Sequence, residues 1–156
     1  MKIISHRGNL NGASCIEENT KKYIDIAIEN SFDVEIDLWK LNNEYFLGHD
    51  SPDHNVTLEW LSKRRNKLWI HTKNFNAFEA LFENKNKFKF FYYTSEPIVL
   101  VSNMKIWCHQ HDKISNPKNC IVPLLSKTCL IKNKETNWHG VCTDYPLFLK
   151  KSLNVL

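Results

Sequence analysis

Between Asp33 and Trp39 apolar and acidic residues alternate, and this period-two stretch is the clearest structural signal in the chain. It predicts a strand with Val34, Ile36 and Leu38 on one face and Asp33, Glu35 and Asp37 on the other. Ahead of it Tyr23, Ile24, Ala27 and Ile28 recur at helical spacing, which predicts a helix from Thr20 to Asn30 capped by Asn19 or Thr20. A short run from Lys2 to Ser5 reads as a first strand, and the Asn- and Gly-rich stretch from Asn9 to Ala13 as the loop after it. The chain therefore opens on a β-loop-α-β unit.

Strand and helix periodicities go on alternating. Tyr45 to Leu47 is extended and leads into a turn at Gly48-His49-Asp50, and Val56 to Lys63 reads as a short helix carrying Leu58 and Leu61. Leu68 to Lys73 is a strand with Trp69, His71 and Lys73 on one face, followed by a helix over Phe75 to Asn84 with an apolar stripe of Phe78, Leu81 and Phe82. Beyond it the pattern predicts mainly strands, at Phe88 to Tyr93, Pro97 to Val101, Lys105 to Cys108, Cys120 to Pro123 and Gly140 to Asp144, closed by a helix from Tyr145 to Leu153. This succession predicts an α/β fold: a reduced (β/α) TIM-like barrel with several outer helices shortened or missing. Complete barrels typically need about 250 residues. This chain has 156, enough for one well-cored domain over residues 1–156. A stripped barrel, an open sheet and a homo-oligomer that completes the barrel all satisfy that length.

The 21 Lys and Arg residues are interspersed with 17 Asp and Glu residues, for a net charge of +4 without a long basic block. A mixed, solvated surface is expected rather than a nucleic-acid interface. Cys15, Cys108, Cys120, Cys129 and Cys142 are odd in number and lack C-x-x-C spacing, which argues against a disulfide framework or a zinc knuckle. Reduced core thiols are expected. Met1 to Ser5 reaches the motif at His6 too soon to hold a signal peptide, and no run approaches the ~20 apolar residues of a membrane span. A soluble, cytoplasmic protein is the expectation.

The chemistry concentrates at strand ends. His6-Arg7-Gly8 follows the first strand, Glu35-Ile36-Asp37 lies inside the second, and His49-Asp50 sits on a turn. Displacement at a phosphodiester needs a base for the attacking hydroxyl, an acid for the leaving alkoxide and positive charge on the non-bridging oxygens. His6 and His49 can supply the acid and the base. Arg7 offers a planar donor fork for phosphate, and Gly8 permits close backbone approach. Glu35 and Asp37 share a face of a strand expected to be buried on both sides, a costly arrangement that a divalent cation resolves, and oxygen ligands of this kind favour Mg²⁺ or Ca²⁺ over zinc. Glu18 can reach the same cation or complement the N-terminus of the following helix. His71 and Lys73 share a strand face, so one can ligate near the metal while the other contacts phosphate; the plainer alternative is a half-exposed strand with a snorkelling lysine. His109 and His111 flank Gln110 and read as loop or rim residues.

The ordered set His6-Arg7-Gly8, Glu18-Asn19-Thr20, Glu35-Ile36-Asp37, His49-Asp50, Ile70-His71-Thr72-Lys73 and Thr143-Asp144-Tyr145-Pro146 resembles the glycerophosphodiester phosphodiesterases, metal-dependent TIM-barrel enzymes, over nearly the whole chain. The resemblance implies that His6 and His49 form the general acid/base pair and that Glu35 and Asp37 hold Mg²⁺ or Ca²⁺. It also implies that Arg7 and Lys73 contact the phosphate and that Glu18 helps to order the metal shell. Two departures stand out. His71 occupies the position, two residues before the lysine, where the family commonly has a metal-binding glutamate, and imidazole there makes the site less anionic. The chain is also shorter than usual for the family.

The function expected is metal-dependent hydrolysis of a small glycerophosphodiester-like or sugar-phosphodiester substrate by His/His general acid-base catalysis. One alternative is a phospholipase-D-like lyase forming a cyclic phosphate, although the chain shows no amphipathic anchor for a bilayer. Another is a noncatalytic barrel that holds a phosphorylated ligand, and a basic nucleic-acid binder ranks third.

Overall fold

The computed structural model describes residues 1–84, 87–111, 114–133 and 137–153. Its elements run β1 (Lys2–His6), α1 (Lys21–Glu29), β2 (Asp33–Leu41), β3 (Glu44–Leu47), β4 (His54–Val56), α2 (Leu58–Arg64), β5 (Leu68–Thr72), α3 (Phe75–Phe82) and β6 (Lys89–Phe91). They continue with β7 (Ile98–Leu100), β8 (Ile106–Cys108), a 3₁₀ turn at Pro117–Asn119, β9 (Cys120–Pro123), α4 (Lys127–Lys132), β10 (Gly140–Thr143) and α5 (Pro146–Leu153).

All the described strands join one mixed sheet that curls into a half-barrel. Parallel pairing carries the row β6-β5-β2-β1-β10-β9-β8, and β7 ends it as an antiparallel partner of β8. The Ser102 amide, just after β7, donates to the Phe90 carbonyl of β6 at 2.9 Å, which brings the two ends of the row together. β2 outlasts β1, and its free end forms an antiparallel ladder with β3, pairing Leu38 with Leu47 and Leu41 with Glu44.

Helix starts follow side-chain capping. Thr20 accepts from the Tyr23 amide, Thr57 from Trp60, Asn74 from Ala77 and Ser126 from Cys129. α1, α2 and α3 cover one outer flank of the sheet, where Ile24, Ala27, Leu61 and Leu81 pack on Val34, Ile36, Leu38 and Ile70. α4 and α5 cover the other, with Leu130 and Leu149 against Val122 and Val141. The inner face holds a small plug of Ile4, Trp69, Phe91, Val101, Trp107, Ile121 and Cys142. No described helix is long and apolar enough to cross a membrane.

Several expectations are corrected. Val56 ends β4 rather than opening a helix, because Thr57 caps α2 behind it. α4 was not predicted, its six residues being too short for a periodic signal. Phe82 is about half exposed and stacks on Phe78 instead of filling the core. Cys108, Cys120 and Cys142 are buried thiols, but Cys15 and Cys129 are exposed.

Asp33 shares the inner face of β2 with Glu35 and Asp37 but lies at the strand's N-terminal end, at the opposite edge of the half-barrel. There its carboxylate meets Lys2 Nζ at 3.0 Å, Lys67 Nζ at 3.5 Å, Lys89 Nζ at 3.7 Å and the Trp69 indole N–H at 3.0 Å. Burial alone would raise its pKa; the indole hydrogen bond and the lysines outweigh burial and hold it below the usual value.

Candidate active site

Period two carries each strand from the plug into a polar chamber above it. His6 follows Ile4 on the same face of β1, His71 follows Trp69, Tyr93 follows Phe91, His109 follows Trp107, Pro123 follows Ile121, and Asp144 follows Cys142. All of these upper residues except Asp144, which lies behind His6, line a cavity of about 190 Å³ together with Glu35 and Asp37 of β2 and with Arg7 and His49 from the loops. It opens at the C-terminal ends of the parallel strands, where α/β folds place their ligand sites.

Backbone geometry sets the loops. Register pairs His6 with Glu35 and Asp37 with His71. After His6 the chain turns through Arg7 at φ 53° and Gly8 at φ 88°, while the Arg7 amide donates to the Glu35 carbonyl at 2.9 Å. A Cβ on Gly8 would sit 3.1 Å from backbone atoms of Tyr23 and Ile24, so glycine lets α1 approach the loop after β1. Gly48, at φ 151°, turns the chain so that His49 returns over β2, and a Cβ there would run into the Ser51 carbonyl oxygen.

Asp37 is the electrostatic centre of the chamber. Its Oδ2 lies 3.0 Å from Asn19 Nδ2, 3.1 Å from Arg7 Nε and 3.2 Å from His49 Nδ1; its Oδ1 lies 3.0 Å from His71 Nδ1 and 3.5 Å from Lys73 Nζ. Its own amide donates to Asn19 Oδ1 at 3.0 Å. Burial pushes the carboxyl up, yet the hydrogen bonds from His49 and His71 and the nearby positive charges hold it well below the usual range.

Glu35 is the opposite case. Its Oε2 is buried without a hydrogen-bond partner, and burial together with the charge of Asp37 raises its pKa. Ligand atoms of Glu35, Asp37 and His71 all lie within 4.8 Å of one another. An orphaned carboxylate oxygen beside a second carboxylate and an imidazole is a donor set that fits a divalent cation. Glu18 stands apart from this trio: Oε2 accepts from Arg7 at 3.0 Å and Oε1 from Asn9 at 2.8 Å and from the Ser14 amide at 3.2 Å.

Both candidate acid/base rings are held through Nδ1. His6 Nδ1 donates to Asp144 Oδ1 at 2.7 Å, which leaves Nε2 facing Glu35 Oε2 at 3.9 Å. Burial lowers the pKa of His6; the Asp144 bond and the charge of Glu35 prevail, and the net direction is up. Arg7 reaches His49 Nδ1 at 2.7 Å, and Lys73 Nζ lies 3.5 Å from the same nitrogen. The same nitrogen lies 3.2 Å from Asp37 Oδ2, so His49 Nδ1 is gripped between a guanidinium donor and a carboxylate acceptor. Asn9 Nδ2 bridges Asp144 Oδ1 and Glu18 Oε1, both at 2.8 Å, so one hydrogen-bonded chain runs from His6 through Asp144, Asn9, Glu18 and Arg7 to His49.

The sequence matches no family model and no curated protein. Solved structures do match. The chain superposes on a crystal structure of glycerophosphodiester phosphodiesterase from Agrobacterium tumefaciens at a TM-score of 0.65 and 12% identity, covering 98% of this chain and 99% of that one. A glycerophosphodiester phosphodiesterase from Thermotoga maritima matches at 0.57 and 16% identity, over 95% and 96% of the two chains. The fold is that of the glycerophosphodiester phosphodiesterases.

On this phosphodiesterase fold the structure gathers His6, Arg7, Glu35, Asp37, His49 and His71 around one cavity, with Lys73 against its Asp37 and His49 walls. Sequence reading missed the supporting partners. Asn19 clasps Asp37, Asn9 ties Asp144 to Glu18, and Asp144 holds His6. It also missed an aromatic wall: Tyr93 stacks on His71 with centroids 4.4 Å apart, and Phe91 on Trp107 at 4.6 Å. His109 belongs to that wall, 5.1 Å from the Tyr93 ring and lining the cavity, whereas His111 packs on Trp138. Burial first, then the two carboxylates, push the Tyr93 phenol up to about 12, so it stays protonated. Parity with Phe91 and Trp107 is the signal from which Tyr93 and His109 could have been found.

Proposed function

We propose that this chain is a divalent-metal-dependent phosphodiesterase, built as one reduced (β/α) barrel domain, that hydrolyses a small glycerophosphodiester-like or sugar-phosphodiester substrate. The observation that carries the reading is the juxtaposition of His6 against Glu35 and His49 against Asp37, at 3.9 and 3.2 Å, within one cavity that also holds Arg7. Glu35, Asp37 and His71 are the residues to hold the cation. When bound, it supplies positive charge to the phosphate's non-bridging oxygens.

Arg7 and Lys73 bind and orient the phosphate, exchanging their contacts on Asp37 and His49 for the substrate's oxygens. Both histidines are anchored through Nδ1, with His6 Nε2 turned toward Glu35 and His49 Nε2 beside the exposed Asp50 carboxylate; one ring takes the proton of the nucleophile and the other returns a proton to the leaving alkoxide. The plug below and the aromatic wall beside them exclude water from one side of the site.

Turnover of a chromogenic phosphodiester, with and without added Mg²⁺, Ca²⁺ or Mn²⁺, tests the reading beside His6→Ala and His49→Ala. Metal-stimulated turnover that falls at least about 100-fold in each variant is expected. A wild type inert toward a panel of diesters, or variants that keep full activity, would overturn it.

A further inference from the structure

In the glutamate-aspartate-histidine trio, the imidazole is already set up as a ligand. His71 Nδ1 points at Asp37 Oδ1, 3.0 Å away, and Nε2 faces the Tyr93 carbonyl at 3.3 Å. Metal-ligating histidines characteristically donate their second N–H to such a carbonyl, which fixes the tautomer and turns the other nitrogen to the metal. The ring is clamped as well, parallel to Phe91 with centroids 5.4 Å apart and to Tyr93 at 4.4 Å. Nothing about that placement requires the ring to move.

The oxygen donors are correspondingly few. Glu18 is committed to Arg7, Asn9 and the Ser14 amide, and Asp144 to His6 and Asn9. Asp37 already faces Arg7 and Lys73. Among these carboxylates it is Glu35 whose Oε2 is buried without a hydrogen-bond partner. Ca²⁺ needs six to eight oxygens and Mg²⁺ a rigid oxygen octahedron, whereas imidazole suits the borderline first-row metals.

We propose that His71 makes this centre a mixed nitrogen-oxygen site that selects a first-row transition divalent cation of the Fe²⁺ to Zn²⁺ range over Mg²⁺ and Ca²⁺. The inference rests on the phosphodiesterase reading for the use of the site, and it replaces the sequence-based expectation of Mg²⁺ or Ca²⁺. Binding at Nδ1 uses the lone pair of that nitrogen, so the ring's single proton is held on Nε2 against the Tyr93 carbonyl and the hydrogen bond between Nδ1 and Asp37 is given up.

Calorimetric titration of the metal-free protein with Zn²⁺, Co²⁺, Mg²⁺ and Ca²⁺, together with visible absorption of the Co²⁺ form, tests this in the wild type, His71→Glu and His71→Gln. Circular dichroism first establishes that each variant is folded. The ratio of Co²⁺ to Mg²⁺ affinity should fall at least about tenfold in His71→Glu, the Co²⁺ spectrum should change with it, and His71→Gln should lose at least about tenfold in Co²⁺ affinity. An unchanged ratio and spectrum in His71→Glu, wild-type Co²⁺ affinity in His71→Gln, or no metal binding in the wild type overturns the assignment. Should His71→Glu fail to fold, His71→Gln decides alone. Diester turnover measured in parallel separates the two readings. Metal-stimulated turnover with an unchanged affinity ratio removes only the metal assignment. Selective binding without turnover by any metal removes only the phosphodiesterase.

Discussion

His6, at the end of β1, and Asp144, directly after β10, are joined by a 2.7 Å hydrogen bond between Nδ1 and Oδ1. That bond decides which nitrogen His6 shows to the cavity. Asp144→Asn keeps the shape but removes the charge, and the amide can offer N–H where the ring needs an acceptor. Turnover should fall by about 100-fold or more, as expected when an acid/base histidine loses its orienting carboxylate. Asp144 also raises the pKa of His6, so the limb of the pH profile belonging to His6 should move to lower pH in the variant. A pH-rate profile identical to the wild type would show that Asp144 is only structural.

Glu35→Gln should separate stability from activity. The Glu35 pKa is raised, first by burial and then by Asp37, so its ionised form is unfavourable in the folded protein. Replacing a buried carboxylate whose Oε2 has no partner is expected to stabilise the metal-free protein by about 1 kcal/mol, roughly 2–4 °C in Tm, while metal binding and turnover are lost. Thermal melts without and with Co²⁺ check both halves; a destabilised variant would mean that Oε2 is better satisfied in solution than its surroundings indicate.

How much of this was legible beforehand depends on the range of the interaction. Alternation in β2 was enough to separate Val34, Ile36 and Leu38, which meet the helices, from Glu35 and Asp37, which meet the cavity. It could not distinguish Asp33 from these two, because only the barrel axis puts Asp33 among lysines. Asn9 read as a loop residue and Asn19 as a candidate helix cap, a role that Thr20 fills, and their contacts to Asp144, Glu18 and Asp37 span up to 135 residues of sequence. Phe91 and Trp107 carried the signature of strand core, which is where they lie; that Tyr93 and His109 step out of the core into the chamber depends on where the strands end. The short α4 and β4 fell below the length at which periodicity accumulates.

The lysine cage at the far end should make stability rise with pH in two separate windows. Asp33 has a folded pKa below its ordinary 3.8, so its stabilising contribution is present above that value and lost as pH falls through the folded pKa. Asp33→Asn is expected to cost about 2 kcal/mol at pH 7, mostly from leaving Lys89 without its counter-charge. Lys89, over the Trp69 ring, is lowered by burial to about 8 from 10.5. Between those values the unfolded chain binds a proton that the native state does not, so this group lets stability rise with pH across that window. Urea melts of wild type and Lys89→Met at pH 7 and 10 should differ in their pH response by on the order of 1 kcal/mol; parallel responses would place Lys89 in water.

Asn19 combines an unusual backbone with a two-point grip, and substitutions can take the two apart. Its φ of 58° lies in the left-handed region, which Asn tolerates and Ala does not. Its buried amide donates to Asp37 Oδ2 and accepts from the Asp37 amide, both at 3.0 Å. Asn19→Gly relieves the backbone but releases the grip, for an expected loss of about 2 kcal/mol. Asn19→Ala adds roughly 1 kcal/mol for the backbone. Asn19→Asp keeps an acceptor for the Asp37 amide yet sets a second carboxylate against Oδ2, which like-charge repulsion in a buried site makes the worst of the three. Chemical denaturation of the series gives the order directly. If Gly and Ala were equal the strained φ would be irrelevant, and if Asp matched the wild type the grip would be a hydrogen bond to the Asp37 amide alone.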